Sequence, residues 1–242
     1  MQQIELELAG GGVLTVSLRA SLDAMPAVKQ RPLVLVVPGG GYNHVSPREG
    51  DPVALQFAAA GYHTAVLTYS VGEEAQNYQP LRQLNEALAL LRQNAGEWHI
   101  LPDKIAVCGF SAGGHLALSA AVLDIPGETA QQRPNAVILG YPVITAGEFA
   151  HRGSFVQLAG SEDAAAQQAF TLEDKTVPVE NTLLLLAALR RAGVPCEAHL
   201  FEKGAHGTSI STAEVDAADP HRAHWVALCL EWLGETFGFK LS

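Results

Sequence analysis

The chain has 242 residues, 48% hydrophobic and 17% charged, which is the composition of a globular protein with a sizeable core and excludes a disordered one. The formal net charge of −10 and the lack of any basic run argue against nucleic acid or a membrane surface as a partner. Three scattered cysteines, no signal-peptide pattern and no apolar run of membrane-spanning length predict a reducing, cytoplasmic location.

Strands and helices are predicted to alternate along the first 141 residues. Two segments of alternating polar and apolar residues, 4–8 and 13–18, flank three glycines and predict an antiparallel hairpin at a sheet edge. Continuous apolar runs predict buried strands over 32–37, 64–69 and 105–108, and a further strand is predicted over 136–141. Helices are predicted over 51–60, from Pro80 onward and over 115–121. The alternation predicts a mostly parallel sheet flanked by helices, in one α/β domain over residues 1–242.

The rest of the chain is less regular. Residues 142–169 are expected to lie over the carboxyl ends of the strands as a cap. A helix over 179–192, a strand over 197–201 and a closing amphipathic helix over 221–237 are predicted to follow.

The segment around Ser111 carries the clearest chemical signal. The sequence GFSAG over 109–113 stands between a predicted buried strand and a predicted helix, which is the context of a nucleophile elbow. A serine there sits on a strained turn, and the residues two positions away on each side are glycine because a Cβ would not fit. Such a turn could also hold a phosphate at the helix N-terminus. The glycines at 39–41 end another buried strand and would turn backbone N–H groups inward, as in the second half of an oxyanion hole.

A serine nucleophile needs a base and an acid. The base is expected on a loop at the carboxyl edge of the sheet, and His206, after the last predicted strand, is the best placed of the nine histidines. The acid that orients His206 should lie between Ser111 and His206 in sequence. Asp174 is the leading candidate, and Asp163 and Glu162 are the alternatives.

Together these motifs resemble a known family. The motifs are PGGGY over 38–42, GFSAGGHLA over 109–117, GYPVIT over 140–145, VPVEN over 177–181 and FEKGAHG over 201–207. They are similar to those of small bacterial α/β-hydrolase esterases of the acetyl-xylan-esterase-like or lipase/esterase type. The resemblance covers nearly the whole chain and implies the α/β-hydrolase fold.

The resemblance also implies roles for individual residues. The implied catalytic triad is Ser111, Asp174 and His206. The implied oxyanion hole consists of the backbone amides of Gly40, Gly41 and Ala112. Three further side chains are predicted to contact substrate, namely Tyr42, Tyr141 and His151, and a hydrogen-bonded role within the loop is the alternative for His151. No metal or organic cofactor is implied.

The chain departs from the family pattern before Asp174. In such hydrolases a buried strand delivers the acid, yet residues 164–173 contain no apolar β-branched run of strand length. The strand is therefore predicted to be shortened or missing, and the sheet reduced or distorted at this edge. Either residues 170–172 form a minimal strand, or the strand over 136–141 pairs directly with the one over 197–201. Asp174 would then be poorly placed against His206.

The sequence thus predicts a serine carboxylesterase that hydrolyses short-chain or acetyl esters through an acyl-enzyme, with acetylated sugars as one candidate class. Its expected partner is a small-molecule ester substrate, and its oligomeric state is not specified by the sequence. The alternative is a catalytically impaired hydrolase fold that binds a ligand or partner without turnover. A peptidase of the same fold is a further rival, but no propeller or other extra domain is evident that would select peptides.

Overall fold

The fold is built on one mixed sheet. A computed structural model describes residues 1–21, 24, 28–123, 132–160 and 176–241. The strands are β1 (Gln2–Glu7), β2 (Val13–Leu18), β3 (Arg31–Val37), β4 (His63–Thr68), β5 (Ile100–Phe110) and β6 (Ala136–Gly140). Their order across the sheet is β1-β2-β4-β3-β5-β6. The β1–β2 and β2–β4 pairs are antiparallel and the others parallel, which confirms the predicted edge hairpin and the mostly parallel sheet.

Helices follow the parallel strands. They are α1 (Asp51–Ala59), α2 (Gln79–Gln93), α3 (Ala112–Val122), α4 (Arg152–Ala159), α5 (Glu180–Ala192), α6 (Pro220–Ala223) and α7 (Trp225–Phe237). Short 3-10 segments cover Pro47–Glu49, Gly72–Tyr78 and Ala213–Val215. The single closing helix predicted over 221–237 is in fact the pair α6 and α7. Within the predicted cap segment 142–169, α4 is helical, and residues 161–169 lie outside the described ranges.

Strand β3 is buried along its whole length because helices cover both faces of the sheet. Its odd-numbered residues, such as Leu33 and Leu35, join a core formed with α2 and α3. Its even-numbered residues, Val34 and Val36, join a second core formed with α1 and α7. This alternation follows from the two-residue side-chain period of a strand. It explains why continuous apolar runs predicted the central strands correctly.

The β6 edge of the sheet is open in the described part of the chain. All five residues of β6 are half-buried, and within the described ranges the strand pairs with β5 alone. The prediction of a strand over 197–201 is wrong. These residues form neither strand nor helix, are mostly exposed and do not pair with β6. Direct pairing of the two segments is therefore excluded, whereas residues 170–172 lie outside the described ranges. The alternating pattern of 197–201 specifies a strand only where a partner is available.

Helix α5 is anchored at one end. The side chain of Asn181 is fully buried: Oδ1 accepts hydrogen bonds from the N–H groups of Ile144 and Thr145 at 2.8 and 3.0 Å, and Nδ2 donates to the Phe149 carbonyl at 2.8 Å. No other residue of α5 is buried. These bonds fasten the start of α5 to the segment that follows β6, on the side of the sheet where the strands end.

Candidate active site

Ser111 occupies the sharp turn between β5 and α3. Its backbone has φ 51° and ψ −117°, a conformation that non-glycine residues rarely adopt. A Cβ built on Gly109 would lie 2.2 Å from the Gly113 carbonyl oxygen, and one built on Gly113 would lie 2.1 Å from the Val37 carbonyl oxygen. Both distances are impossible, so the predicted reason for the two glycines is confirmed. The turn brings α3 against the end of β3 and leaves the serine hydroxyl at the carboxyl edge of the sheet.

His206 lies against the serine hydroxyl. Its Nε2 is 2.8 Å from Ser111 Oγ, within hydrogen-bond distance. The imidazole ring also packs on the Tyr141 ring, with centroids 4.8 Å apart. An imidazole nitrogen beside a serine hydroxyl is the arrangement that lets histidine remove the proton as the oxygen attacks.

The glycine loop after β3 runs directly beside the elbow. A Cβ built on Gly39 would lie 2.9 Å from Ser111 Cβ. Gly40 and Gly41 have φ of 126° and 64°, in the region that favours glycine. Ala112 is the first residue of α3, where helix amides have no intrahelical acceptor. The loop and the helix start therefore lie next to Ser111, and the role of these amides as oxyanion donors stays a prediction.

Tyr42 does not face open space. It is 1% exposed, and its hydroxyl donates to the Ala112 carbonyl at 3.0 Å and lies 2.8 Å from Nδ1 of His115. Burial lowers the pKa of His115 to about 4, so this imidazole is neutral near pH 7. Because the Tyr42 proton goes to Ala112, His115 Nδ1–H donates to the phenol oxygen. Tyr42 thus supports the start of α3 from within the core, which corrects the prediction that it contacts substrate.

His151 lies over the glycine loop. Its Cε1 would be 3.5 Å from a Cβ built on Gly41. Its Nδ1 is 2.8 Å from Ser154 Oγ, and the ring is half-buried at the start of α4. The His151 side chain therefore lies near the candidate site, and its contact with substrate stays a prediction.

Tyr141 is held by a residue that sequence reasoning missed. The Tyr141 hydroxyl donates to Glu49 Oε1 at 2.6 Å, and Glu49 Oε2 accepts the Gly39 N–H at 2.8 Å. Burial and the adjacent charge of Glu49 raise the pKa of Tyr141 well above its usual value, so the phenol keeps its proton. Glu49 is only 3% exposed. The sequence does show that Glu49 lies between the PGGGY motif and α1. The spacing of apolar residues does not distinguish it from the other acidic residues of the chain.

The three acid candidates, Asp174, Asp163 and Glu162, lie outside the described residues. Within the described ranges, no group of three or more His, Cys, Asp or Glu side chains could hold a metal ion. None of the helices in those ranges is long and apolar enough to cross a membrane.

Comparison with known proteins places this geometry in context. Residues 24–134 match the family model described as BD-FAE. The chain is 29% identical over 203 residues to an acetylxylan esterase from Xylanibacter ruminicola, covering 74% of this chain and 41% of that protein. This chain spans 41% of the length of that acetylxylan esterase and 34% of the length of another curated relative that it matches over most of its own residues, so both relatives are much longer proteins.

Solved structures match along the full length. MGS-M1, an α/β hydrolase enzyme from a Medee basin deep-sea metagenome library, is 32% identical with a TM-score of 0.79, and 98% of each chain is covered. The carboxylesterase Cest-2923 from Lactobacillus plantarum is 28% identical with a TM-score of 0.83, and 100% of each chain is covered. The strand–elbow–helix geometry, the sheet and these similarities together show that the chain belongs to the α/β-hydrolase esterase family.

Proposed function

We propose that this chain is a serine carboxylesterase that hydrolyses short-chain or acetyl esters, including acetylated sugars. The observation that carries the proposal is the 2.8 Å contact between Ser111 Oγ and His206 Nε2 at a strand–elbow–helix turn. The similarity to an acetylxylan esterase supports acetyl groups on a sugar as the substrate class. The family membership supports ester hydrolysis rather than phosphate binding at the glycine-rich turn.

The proposed reaction proceeds in two halves. Ser111 Oγ attacks the acyl carbonyl carbon while His206 Nε2 takes the hydroxyl proton. The amides of Gly40, Gly41 and Ala112 stabilise the negative oxygen of the tetrahedral intermediate. His206 then gives its proton to the leaving alcohol oxygen, and the acyl group remains on Ser111. A water molecule, deprotonated by the same imidazole, then attacks the acyl carbon. The bond between that carbon and Ser111 Oγ breaks, the imidazolium returns its proton to Oγ, and the carboxylic acid leaves. Asp174 is the proposed group that orients His206.

The test is hydrolysis of nitrophenyl esters of increasing acyl length, together with labelling by a fluorophosphonate. Wild-type protein should turn over the acetate or butyrate and be labelled, and Ser111→Ala should do neither while keeping its fold. Ser119→Ala is the matched control, because Ser119 is also 8% exposed and lies further along α3. Folded wild-type protein without turnover would favour the ligand-binding alternative. Labelling that survives in Ser111→Ala would refute the assignment of the nucleophile.

A further inference from the structure

The 3-10 turn Pro47–Glu49 contacts both sides of the candidate site. On one side, Glu49 Oε2 accepts the N–H of Gly39, at the start of the glycine loop, at 2.8 Å. On the other side, Glu49 Oε1 accepts the Tyr141 hydroxyl at 2.6 Å, and the Tyr141 oxygen accepts the N–H of Ser209 at 2.9 Å. Ser209 is three residues after His206. One buried carboxylate is therefore connected to the glycine loop directly and to the His206 loop through one phenol.

The donors fix the proton positions in this network. The backbone N–H groups of Gly39 and Ser209 can only donate. Since the Tyr141 oxygen accepts from Ser209, the Tyr141 proton goes to Glu49, and both oxygens of Glu49 act as acceptors. A carboxylate meets this requirement with one oxygen for each donor. The two donors approach different oxygens of Glu49, so a carboxamide in the same place would turn its NH2 group toward one of them and could not accept from both.

The 3-10 turn Pro47–Glu49 also contacts the His206 loop through Arg48. Ser209 Oγ donates to the Arg48 carbonyl, and Arg48 Nη2 would lie 3.5 Å from a Cβ built on Gly207. The Tyr141 ring, fixed by its hydroxyl, packs on the His206 imidazole. The position of the imidazole thus depends on a phenol whose hydroxyl is tied to Glu49.

We propose that Glu49 is a positioning residue of this site, an inference that rests on the proposed esterase function. It keeps the glycine loop and the His206 loop at a fixed separation, so that the oxyanion donors and the base face Ser111 together. Glu49 itself does not touch substrate. Displacing a catalytic group by about 1 Å costs about 100-fold in rate, so a loosened network should be visible in kcat.

The experiment compares Glu49→Gln, Tyr141→Phe and the double variant with wild type. Active sites are counted by fluorophosphonate titration, and kcat is expressed per titrated site. Glu49→Gln should lower kcat about 100-fold with little change in KM. The double variant should be no slower than the slower single variant, because both changes break one hydrogen-bonded network. Tyr141→Phe keeps the inference testable if Glu49→Gln does not fold.

Tyr62→Phe is the matched control. Tyr62 is a buried tyrosine in the α1–α7 core, 2% exposed, and its hydroxyl has no hydrogen-bond partner within the described ranges. Its kcat per site should equal that of wild type. A purely structural role of Glu49 would lower the melting temperature and the number of titrated sites while leaving kcat per site unchanged, and that result would overturn the inference.

A measurement without substrate separates the two proposals. If wild-type protein hydrolyses no ester, the proposed function fails, and amide hydrogen exchange then decides the positioning role. In Glu49→Gln the Ser209 amide should exchange faster than in wild type, although it does not contact Glu49, because Tyr141 transmits the change. Faster exchange at Gly39 with an unchanged Ser209 would show that the two loops are not coupled.

Discussion

His206 and Ser111 are 95 residues apart in sequence and meet at 2.8 Å. Two different elements bring them together: the turn that ends β5 and the loop that precedes the 3-10 segment Ala213–Val215. A serine–histidine pair reaches full rate only when a third group holds the imidazole in the right tautomer. Asp174 is the proposed third group, and its substitution tests the Ser111–His206 pair directly.

We expect Asp174→Asn to lower kcat by about 10⁴-fold if Asp174 orients His206, because the amide would favour the wrong tautomer. Stability should change little. The measurement is ester hydrolysis per fluorophosphonate-titrated site. Asp163→Asn and Glu162→Gln serve as matched controls and should retain wild-type rates. If Asp174→Asn instead behaves like wild type and one of the others loses activity, the acid is that other residue.

Local motifs predicted Ser111 and His206, since glycine spacing and chain order are visible in the sequence. Glu49 was missed because its partner Tyr141 is 92 residues away, and such pairing appears only in three dimensions. Tyr42 was misassigned for a related reason. The sequence shows that it follows the glycines, but not that its side chain turns inward to Ala112 and His115.

At the scale of elements, the contact between α3 and the end of β3 depends on Gly113. A Cβ there would lie 2.1 Å from one backbone oxygen and 2.4 Å from the next, so backbone would have to move. We expect Gly113→Ala to destabilise the fold by about 1–3 kcal/mol, as overpacked sites do, and to reduce activity. Chemical denaturation measures the change. Gly96→Ala is the control, because a Cβ on Gly96 meets nothing within 4 Å, and its stability should equal or slightly exceed that of wild type.

The start of β4 carries a buried, neutral histidine. His63 is 1% exposed, its Nδ1 accepts the Arg19 N–H at 3.0 Å, and its Nε2 donates to the His99 carbonyl at 3.3 Å. Burial, with smaller effects from nearby arginine charges, lowers its pKa from 6.5 to about 4. Between these values the unfolded chain binds a proton that the folded chain does not, so this contribution to stability is complete above pH 6.5 and is lost as the pH falls.

We therefore expect the free energy of unfolding of wild type to fall by about 3 kcal/mol through His63 between pH 6.5 and pH 4. His63→Asn keeps an acceptor for the Arg19 N–H and has no titration in this range, so its stability should depend less on pH. Urea denaturation at several pH values measures the difference. His44 is exposed and provides the control. The free energy of unfolding of His44→Asn should depend on pH as that of wild type does. Parallel curves for wild type and His63→Asn would contradict the prediction.

The central strands were predictable because burial on both faces leaves an uninterrupted apolar run. The segment over 197–201 was not, because its alternating pattern describes one face only and does not say whether a neighbouring strand is present. The break between α6 and α7 also escaped prediction. It consists of the single residue His224, whose backbone keeps helical φ and ψ of −59° and −19° and whose N–H donates to the His221 carbonyl at 3.4 Å.

At the scale of the whole molecule, charge and exposed apolar surface act against each other. Val179, Leu183 and Leu184 at the start of α5 are 46–50% exposed, and Val179 and Leu183 share a helical face. The net charge of −10 keeps molecules apart at neutral pH, and this repulsion vanishes near the isoelectric point of about 5.3.

We expect the scattering of light by wild-type solutions to rise as the pH approaches 5.3, because α5 surfaces of different molecules then associate. Leu183→Gln combined with Leu184→Gln should reduce this rise. Leu55→Gln is the control, since Leu55 is 49% exposed but lies on α1. Equal association of the double variant and wild type would show that α5 is not the surface responsible.

The backbone at Ser111 has a consequence for how the protein could evolve. A serine with φ 51° is strained, and such positions cost about 1–3 kcal/mol. Glycine adopts this conformation freely, so Ser111→Gly should be the more stable protein and also an inactive one. Selection for stability alone would therefore remove this serine, and under the proposed function Ser111 persists only while ester hydrolysis is useful to the cell. Thermal unfolding of Ser111→Gly and Ser111→Ala distinguishes this effect, since only the glycine variant relieves the strain and should melt above wild type.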